Sequence, residues 1–366
     1  MMTPRRVVGL FIAALVIVAV AFWMSSRGHR SDLAVAGQPV LDGLKASVND
    51  VTELHISKGD GTRVTLKKLP DAWQVGEREY TADSGKVRKL LLDLGALEVV
   101  EEKTSDPASY DRIGVEDVKG AKAAGTLIEV VTPKKTYSVI VGRSSGMKSS
   151  YVRVSTAPKS YLSSPQITAD ANPKQWLQRD VLDIPEARIK EVALTPGSGP
   201  TYSVSREKKE QTDFTVSNVP KGRELSAPTA GNAVAGELVS FTLDDVRKAP
   251  ADNTSGGAPI TTFRTFDGLE VQVNGLKDGE RHYVWFTPRS TAKETATEAQ
   301  TLEGHTKGWQ FEIPQYKYDG LFKPLEDLLK KPEPKEDKKA AADKKGASKK
   351  PPALPSSPLP EPPPTS

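Results

Sequence analysis

One stretch of the sequence has the spacing of a hydrolase nucleophile. Residues 142–146 read GRSSG and fit the G-x-S-x-G pattern, in which a serine attacks a carbonyl from a strained turn between a strand and a helix. The residues that follow, beginning at Met147, lead instead into the alternating pattern of another strand. The serine would lie in a hairpin loop, without the helix that the mechanism requires. The sequence therefore predicts a loop and no serine nucleophile here.

Four histidines could serve as a general base or as metal ligands. His55 and His282 fall within predicted strands, His29 adjoins an apolar segment, and His305 lies in a predicted loop. None of them has a partner at the spacing of a zinc site. The chain has no cysteine, which excludes disulfides, thiolate metal sites and a cysteine nucleophile. We therefore expect no catalytic residue, no cofactor and no metal site.

Adjacent acids and a glycine-rich turn are explained more simply by structure than by ligand binding. Asp244-Asp245 and Glu101-Glu102 lack the flanking glycine or asparagine of a calcium loop, which indicates solvated faces or caps. Residues 197–199 (GSG) precede a proline rather than a helix. They cannot present backbone amides to a phosphate as a dinucleotide-binding loop does.

A short polar segment follows a tryptophan near the middle of the chain. Arg179 and Asp180 lie directly after Trp176, and opposite charges at adjacent positions can form a local ion pair. We interpret this pair as a structural clasp between two halves of the chain. A ligand site is the alternative interpretation.

The amino-terminal part of the chain has the pattern of a membrane anchor. Residues 7–23 are uniformly apolar, about the length of a helix that crosses a ~30 Å hydrocarbon core. The preceding Arg5 and Arg6 favour a cytoplasmic amino terminus and export of the rest. A signal peptide cleaved after Ala21 is the alternative, and either interpretation places the body outside the cytoplasm. We predict a cytoplasmic stub and anchor over residues 1–30.

The formal charge of +4 is unevenly distributed along the 366 residues. Residues 1–30 carry +4 and residues 331–366 carry +3, which leaves −3 for the body between them. A body without a basic surplus has no charge with which to hold a phosphate backbone. Nucleic acid is therefore excluded as an expected partner.

The body is predicted to have an α+β fold made of two similar units. After a polar linker over residues 31–50, the first unit, residues 51–185, begins with short alternating strands. A helix capped by Asp83 or Ser84 follows, with one apolar stripe that packs on the sheet. The second unit covers residues 186–330 and closes with a short helix around residues 321–329.

The second unit repeats the pattern of the first. Residues 189–195 match residues 51–57 in residue type at an offset of 138, and residues 214–216 match residues 73–75 at 141. A weaker helical stretch over residues 232–241 corresponds to the first helix. Growing offsets are typical of a tandem duplication with loop insertions. Chance resemblance between β-meanders is the alternative.

Two further segments are predicted from local composition. Asn172 followed by Pro173 is typical of a helix start, so a short helix is expected there and ends at Pro185. Residues 331–366 contain ten prolines and eight lysines and cannot bury enough apolar surface to order themselves. We predict a disordered tail with polyproline II character.

The order of these motifs resembles the bacterial family of domain of unknown function 4340 (DUF4340), over roughly residues 50–330. The resemblance rests on residues that we expect to mark the fold: Trp73, residues 81–83 (TAD), Tyr110, Gly142, Tyr151, Arg153, Trp176, Arg179 and Asp180. It implies a membrane-anchored exported protein, often associated with ABC transporter components of the gliding-motility type. The family has no established catalytic residues.

Together these patterns favour a protein that acts by contact. We expect a non-enzymatic accessory or scaffold protein of the inner (cytoplasmic) membrane, with a periplasmic body associated with an ABC transporter of the envelope. One alternative is a structural tether that binds cell-envelope polymers through the Lys/Pro-rich tail. A hydrolase of envelope polymers is the other alternative.

Overall fold

The computed structural model describes residues 16–18, 20, 35–250 and 257–331. Within these residues the fold is α+β, and almost all strands belong to two large antiparallel sheets. The predicted fold class is therefore confirmed.

Two sequence predictions fall largely outside this part of the chain. The predicted anchor over residues 7–23 is described only at residues 16–18 and 20, which are helical. Among the described residues, no helix has both the length and the apolar character needed to cross a membrane. The predicted tail, apart from Lys331, lies outside the described residues.

The first sheet has nine strands, all from the first half of the chain. Their order in the sheet is β4-β3-β2-β1-β6-β7-β8-β9-β5, and every neighbouring pair is antiparallel. The bounds are β1 Glu53–Lys58, β2 Arg63–Lys68, β3 Trp73–Val75, β4 Tyr80–Thr81, β5 Glu98–Glu102, β6 Thr126–Val131, β7 Thr136–Ser145, β8 Ser149–Val154 and β9 Ser160–Ser164.

The second sheet has eight strands from the second half of the chain. Its order is β13-β12-β11-β16-β17-β18-β19-β15. A separate pair, β10 Asp180–Leu182 and β14 Phe241–Thr242, lies outside both large sheets. The bounds are β11 Ile189–Thr195, β12 Tyr202–Ser205, β13 Thr215–Val216, β15 Asp245–Lys248, β16 Ile260–Thr265, β17 Leu269–Asp278, β18 Arg281–Ser290 and β19 Trp309–Ile313.

The two sheets have the same strand order once β4 is set aside. In each, three strands run in reverse chain order, four run in chain order, and a strand from the middle of the unit closes the far end. The registers also agree: Leu54 pairs with Leu66 in the first sheet, and Val192 pairs with Val204 in the second. All four side chains are buried.

The described helices are short, and most lie between strands. Their bounds are α1 Leu44–Ser47, α2 Ser84–Gly95, α3 Tyr110–Ile113, α4 Asn232–Ala235, α5 Ala296–Thr306 and α6 Gln315–Leu321. Single 3-10 turns cover Val48–Asp50, Pro107–Ser109, Pro173–Trp176, Glu186–Arg188, Gly236–Leu238, Lys293–Thr295 and Leu325–Leu328. The described residues up to Leu329 form one compact unit.

Helix α2 forms as the sequence predicts. The Asp83 carboxylate accepts a hydrogen bond of 3.0 Å from the Lys86 amide, which satisfies one free donor of the first turn. The apolar stripe that includes Leu90, Leu91 and Leu94 is buried in the core. The local cap and the long-range packing therefore favour the same helix.

The segment before the first strand is not a free linker. Val40, Leu41 and Leu44 are buried in the core, and the amide of Val40 donates to the carbonyl of Leu97 at 2.8 Å. The predicted linker over residues 31–50 is therefore wrong for this part. The three apolar side chains, spaced along a polar sequence, are enough to pack it against the sheet.

Several predicted helix bounds are also wrong. Residues 232–241 form a single turn of α4 and a 3-10 turn, and Phe241 begins strand β14. The helix expected at residues 321–329 instead ends at Leu321, and a 3-10 turn follows. Tertiary packing decides such short elements because an isolated turn is only marginally stable.

The segment after Asn172 starts as predicted but is shorter. The Asn172 side chain accepts from the Lys174 amide at 3.1 Å, and a 3-10 turn ends at Trp176. The chain then becomes extended, since the Gln178 amide donates to the Thr81 carbonyl at 3.0 Å beside strand β4. Backbone bonding to the first sheet thus replaces the predicted helix.

Candidate functional site

The prediction that the GRSSG segment forms a hairpin loop is wrong in its placement, because residues 142–145 continue strand β7 and only Gly146 lies in the loop that follows. Strand β7 runs to Ser145 and β8 begins at Ser149, so no helix follows the serine. The hydroxyl of Ser144 accepts a hydrogen bond of 2.7 Å from the side-chain amide of Gln166. The arrangement lacks the strand-to-helix turn of a nucleophile elbow.

The described histidines lie on three different elements of the fold. His55 lies on β1 beside Glu53 at 3.1 Å, and His282 is buried on β18 against the ring of Tyr318. His305 lies in helix α5, so its predicted loop position is wrong. Within the described residues, no group of three or more histidine, aspartate and glutamate side chains could hold a metal ion. His29 lies outside them.

Three of the motif residues used for the family resemblance lie around the α3 turn. The buried Arg153 guanidinium donates to the Val115 carbonyl at 2.8 Å and lies 4.8 Å from the centre of the Tyr110 ring. A side chain at Gly142 would collide with the carbonyl oxygen of Ile113, three residues after that tyrosine. These residues pack the α3 turn against β7 and β8 and therefore have a structural role.

Arg179 connects the two halves of the chain, but not through the predicted partner. Its guanidinium donates to the carboxylate of Asp244 at 2.7 Å and to the Leu243 carbonyl at 2.9 Å. The predicted local pair with Asp180 is wrong, because Asp180 continues into strand β10, which pairs with β14. The interpretation as a clasp between the halves fits the observed contacts.

The prediction that Asp245 lies on a solvated face or caps an element is also wrong. It is 6% exposed and accepts a bidentate pair of hydrogen bonds from Arg78, at 2.7 Å from Nε and 2.9 Å from Nη2. Arg78 lies in the turn between β3 and β4 of the first sheet, whereas Asp245 begins edge strand β15 of the second. This ion pair therefore joins the two sheets across a groove.

Further charges extend this network along the groove. Lys174 lies 3.2 Å from Asp245 and 3.5 Å from Glu312 on the neighbouring strand β19. Lys248, at the other end of β15, pairs with Glu79. Burial by itself raises the pKa of Asp245, but the hydrogen bonds from Arg78 and the nearby Lys174 outweigh it and lower the pKa.

Aromatic side chains form the groove floor next to these charges. Tyr80 on β4 meets Trp309 on β19 edge to face, with ring centres 5.1 Å apart, and Phe311 at 6.1 Å. Burial raises the pKa of Tyr80 to about 12. Its hydroxyl therefore stays protonated at neutral pH.

Three open cavities follow one another along the groove. The first, about 420 Å³, lies among Arg78, Asp245 and Arg281 and shares Glu79 with the second, which is about 300 Å³. The second shares Trp309 with the third, of about 400 Å³, beside helix α5. The groove is therefore one extended surface with a charged end and an aromatic end.

The turn that carries Arg78 has an unusual backbone. Glu79 has φ of 53°, a left-handed conformation that residues other than glycine seldom adopt. The side-chain amide of Gln74 donates to its carbonyl at 3.0 Å and holds the turn. This conformation lets Glu79 line both the first and the second cavity.

The sequence alone did not point to Arg78, Tyr80 or Trp309 as site residues. Arg78 and Asp245 are 167 positions apart, so their pairing depends on how the two sheets meet. The one local sign of this site in the sequence is the run of charged residues at 77–79.

These features define a class of α+β proteins in which two sheets of like topology enclose a groove lined by charged and aromatic side chains. The sequence pattern of the domain of unknown function DUF4340 matches residues 73–257, half of the chain. The protein therefore belongs to the DUF4340 family, as its motifs suggested. No curated protein and no solved structure matches the chain.

Proposed function

We propose that this protein is a membrane-anchored, extracytoplasmic accessory or scaffold protein of an envelope ABC transporter, and that it binds its partner in the groove between the sheets. The apolar segment at residues 7–23 supports the anchor and the export of the body. The family resemblance supports the association with a transporter.

One observation carries the proposed binding role: the three cavities form a continuous groove, and the first of them lies along edge strand β15. Edge strands are common docking positions for an extended segment of a partner. The Val246 amide, however, donates to the Asp245 carboxylate at 2.9 Å. One backbone donor of this strand is thus already hydrogen-bonded within the protein. We therefore expect side-chain contacts along the groove to be the main source of affinity.

The charges of the groove favour binding over catalysis. A general acid needs a pKa near the working pH, which enzymes reach by raising the pKa of a carboxyl group. The pKa of Asp245 is lowered, so this carboxylate is ionised at neutral pH and cannot donate a proton. Its fixed hydrogen bonds to Arg78 make it a rigid part of the groove wall.

We also propose that the two halves arose by tandem duplication. The common strand order of the sheets and the like registers of β1 with β2 and β11 with β12 support this origin. The groove then lies where the two copies meet, a position that neither copy would provide alone.

The test is purification of the full-length protein from its native membrane in mild detergent, with quantification of what co-elutes. We expect transporter ATPase or permease subunits in near-equal amounts. The groove variant is Arg281→Glu, an exposed residue that lines the first cavity. The matched control is Lys148→Glu, which reverses an exposed charge in the β7–β8 hairpin loop.

The two variants test separately whether the protein associates with the transporter and whether the groove is the docking surface. Loss of the subunits with Arg281→Glu and their retention with Lys148→Glu would support the groove as the docking surface. Recovery of the protein alone, or with wall polymer only, would contradict the transporter association. Equal retention in both variants would keep the association and refute the groove.

A further inference from the structure

The outer face of the second sheet carries uncharged polar side chains around one tryptophan. Along β16, β17 and β18, successive side chains alternate between the two faces of the sheet. Those of the inner face, such as Phe263, Val273 and Phe286, are buried in the core. Five neighbouring side chains of the outer face, which are partly exposed except for the asparagine, form what we call the sheet patch: Thr262, Gln272, Asn274, Trp285 and Thr287.

The strand register places the members of the sheet patch side by side. Trp285 pairs with Asn274 and Thr287 with Gln272 across β17 and β18, and Gln272 pairs with Thr262 on β16. Such cross-strand partners have Cβ atoms about 4.5–5.5 Å apart. The side-chain amide of Gln272 also donates a hydrogen bond of 2.9 Å to Asn274 Oδ1. The sheet patch therefore measures about 10 Å across the three strands and about 7 Å along them.

Trp285 differs from the other described tryptophans in having no place in the core. Trp176 lies in the core, and Trp73 and Trp309 pack against it. Trp285 is partly exposed and, with Thr287, lines the third cavity of the groove, of about 400 Å³. Within the described part of the chain, its indole N–H has no hydrogen-bond partner, and no other aromatic ring or cation packs on its ring. Both the ring and the N–H are therefore open to a ligand.

The charges that border the sheet patch balance one another. Arg264 pairs with Glu270 at 2.8 Å and with Glu191 at 3.1 Å, and Arg289 lies opposite Glu270 in the strand register. These two cations and two anions sum to zero, and the sheet patch itself contains no charged side chain. A charged ligand would lose hydration there without gaining an unbalanced counter-charge. The sheet patch therefore favours an uncharged ligand.

We propose that the sheet patch binds an uncharged saccharide chain. A sugar hydroxyl both donates and accepts hydrogen bonds, and so do the side-chain amides of Gln272 and Asn274 and the hydroxyl of Thr287. The apolar C–H face of a sugar ring packs on the Trp285 ring, and the indole N–H donates to a sugar oxygen. This proposal does not rest on the transporter association, because the ligand differs and its binding is measured without the transporter.

The test is isothermal titration calorimetry on the full-length protein with two neutral probes, the tetramer of N-acetylglucosamine and maltotetraose. The detergent is a polyoxyethylene ether, because glucoside and maltoside detergents carry sugars that would compete. The comparison ligand is the tetramer of glucosamine, which has the same linkage but positively charged amines. We expect at least one neutral probe to bind, and the charged tetramer to bind at least about tenfold more weakly than the better neutral probe.

Four variants locate the binding. Trp285→Ala should weaken it at least about tenfold, because both the ring and the N–H donor are removed, and Trp285→Phe should weaken it less, because a ring remains. Gln272→Ala removes hydrogen-bonding groups and should weaken binding about two- to tenfold. The matched control is Tyr316→Ala, which removes an aromatic side chain that is 76% exposed on α6 and should leave the affinity unchanged. Melting temperatures check that each variant is folded.

Absence of binding by both neutral probes, or equal binding of the charged tetramer, would overturn the proposal. It would also be overturned if Trp285→Ala bound as tightly as Tyr316→Ala. If Trp285→Ala does not fold, Trp285→Phe and Gln272→Ala decide, and an unchanged affinity in both would refute the sheet patch as the binding site.

Discussion

Replacing Arg78 with methionine should destabilise the protein strongly at neutral pH. The substitution keeps much of the side-chain volume but leaves the carboxylate of Asp245, which is 6% exposed, without its bidentate partner. Removing one partner of a buried ion pair costs about 3–5 kcal/mol. Arg78 is 29% exposed and Lys174 still lies 3.2 Å from Asp245, so we expect about 2–3 kcal/mol.

The loss of stability in Arg78→Met should become smaller as the pH falls. The folded-state pKa of Asp245 is lowered from its ordinary value of 3.8, so the pair stabilises the protein above that value. As pH falls through the lower folded-state pKa, Asp245 becomes protonated and the contribution disappears. The difference between the wild type and Arg78→Met should therefore shrink below about pH 4.

Urea denaturation of the full-length protein in detergent, followed by tryptophan fluorescence at pH 7 and pH 3, measures both effects. Asp245→Asn is the control, because it leaves Arg78 free to reach solvent and should cost less than Arg78→Met. The double variant should be more stable than Arg78→Met alone, since no buried charge is left unpaired. A loss under about 0.5 kcal/mol at pH 7, or an equal loss at pH 3, would refute the reasoning.

Three further predictions concern other parts of the chain. Leu91→Ala removes a buried side chain from the α2 stripe and should lower the free energy of unfolding by about 2–5 kcal/mol, measured by urea denaturation; an exposed control, Leu92→Ala, should cost under about 1 kcal/mol. Arg206→Met leaves four carbonyls, including those of Ile189 and Gln211, without their buried donor, and should cost about 3–5 kcal/mol in the same assay; a loss below 1 kcal/mol would contradict this role. If the tail is a tether, deletion of residues 331–366 should release the protein from isolated cell walls, and unchanged retention would remove the tether hypothesis.

Local patterns predicted those elements that are stabilised by their own sequence. Helix α2 has a cap at Asp83 and a regular apolar stripe, so its start and its buried face are readable without tertiary information. The alternation of apolar and polar residues along strands β1 and β2 was equally clear. The predicted class of fold rested on these elements.

Helix α5 was missed because it has no such stripe. Only Ala299 and Thr306 of its residues are buried, and the surrounding sequence is polar. It is held in part by contacts distant in sequence, such as the bidentate hydrogen bonds of Arg188 to Glu298 at 2.7 and 2.8 Å. A single sequence gives no sign of such a pairing.

The groove could not be predicted for the same reason. The sequence suggested a contact between the two halves near Trp176, and the structure places the hydrogen bond from Arg179 to Asp244 there. The wall residues Arg78 and Asp245 come from different sheets, and their pairing follows only from how the sheet edges meet. Neither residue has a distinctive sequence motif of its own.

The most direct test of the central claim is site-specific photo-crosslinking in living cells. A photoreactive amino acid is placed at Arg281 or His305, both exposed in the groove, and at Lys148 in the distant hairpin loop as the control. We expect crosslinks to a transporter subunit from the two groove positions and none from position 148. Crosslinks from position 148 alone, or co-purification of the transporter without any crosslink from the groove, would contradict a docking surface in the groove.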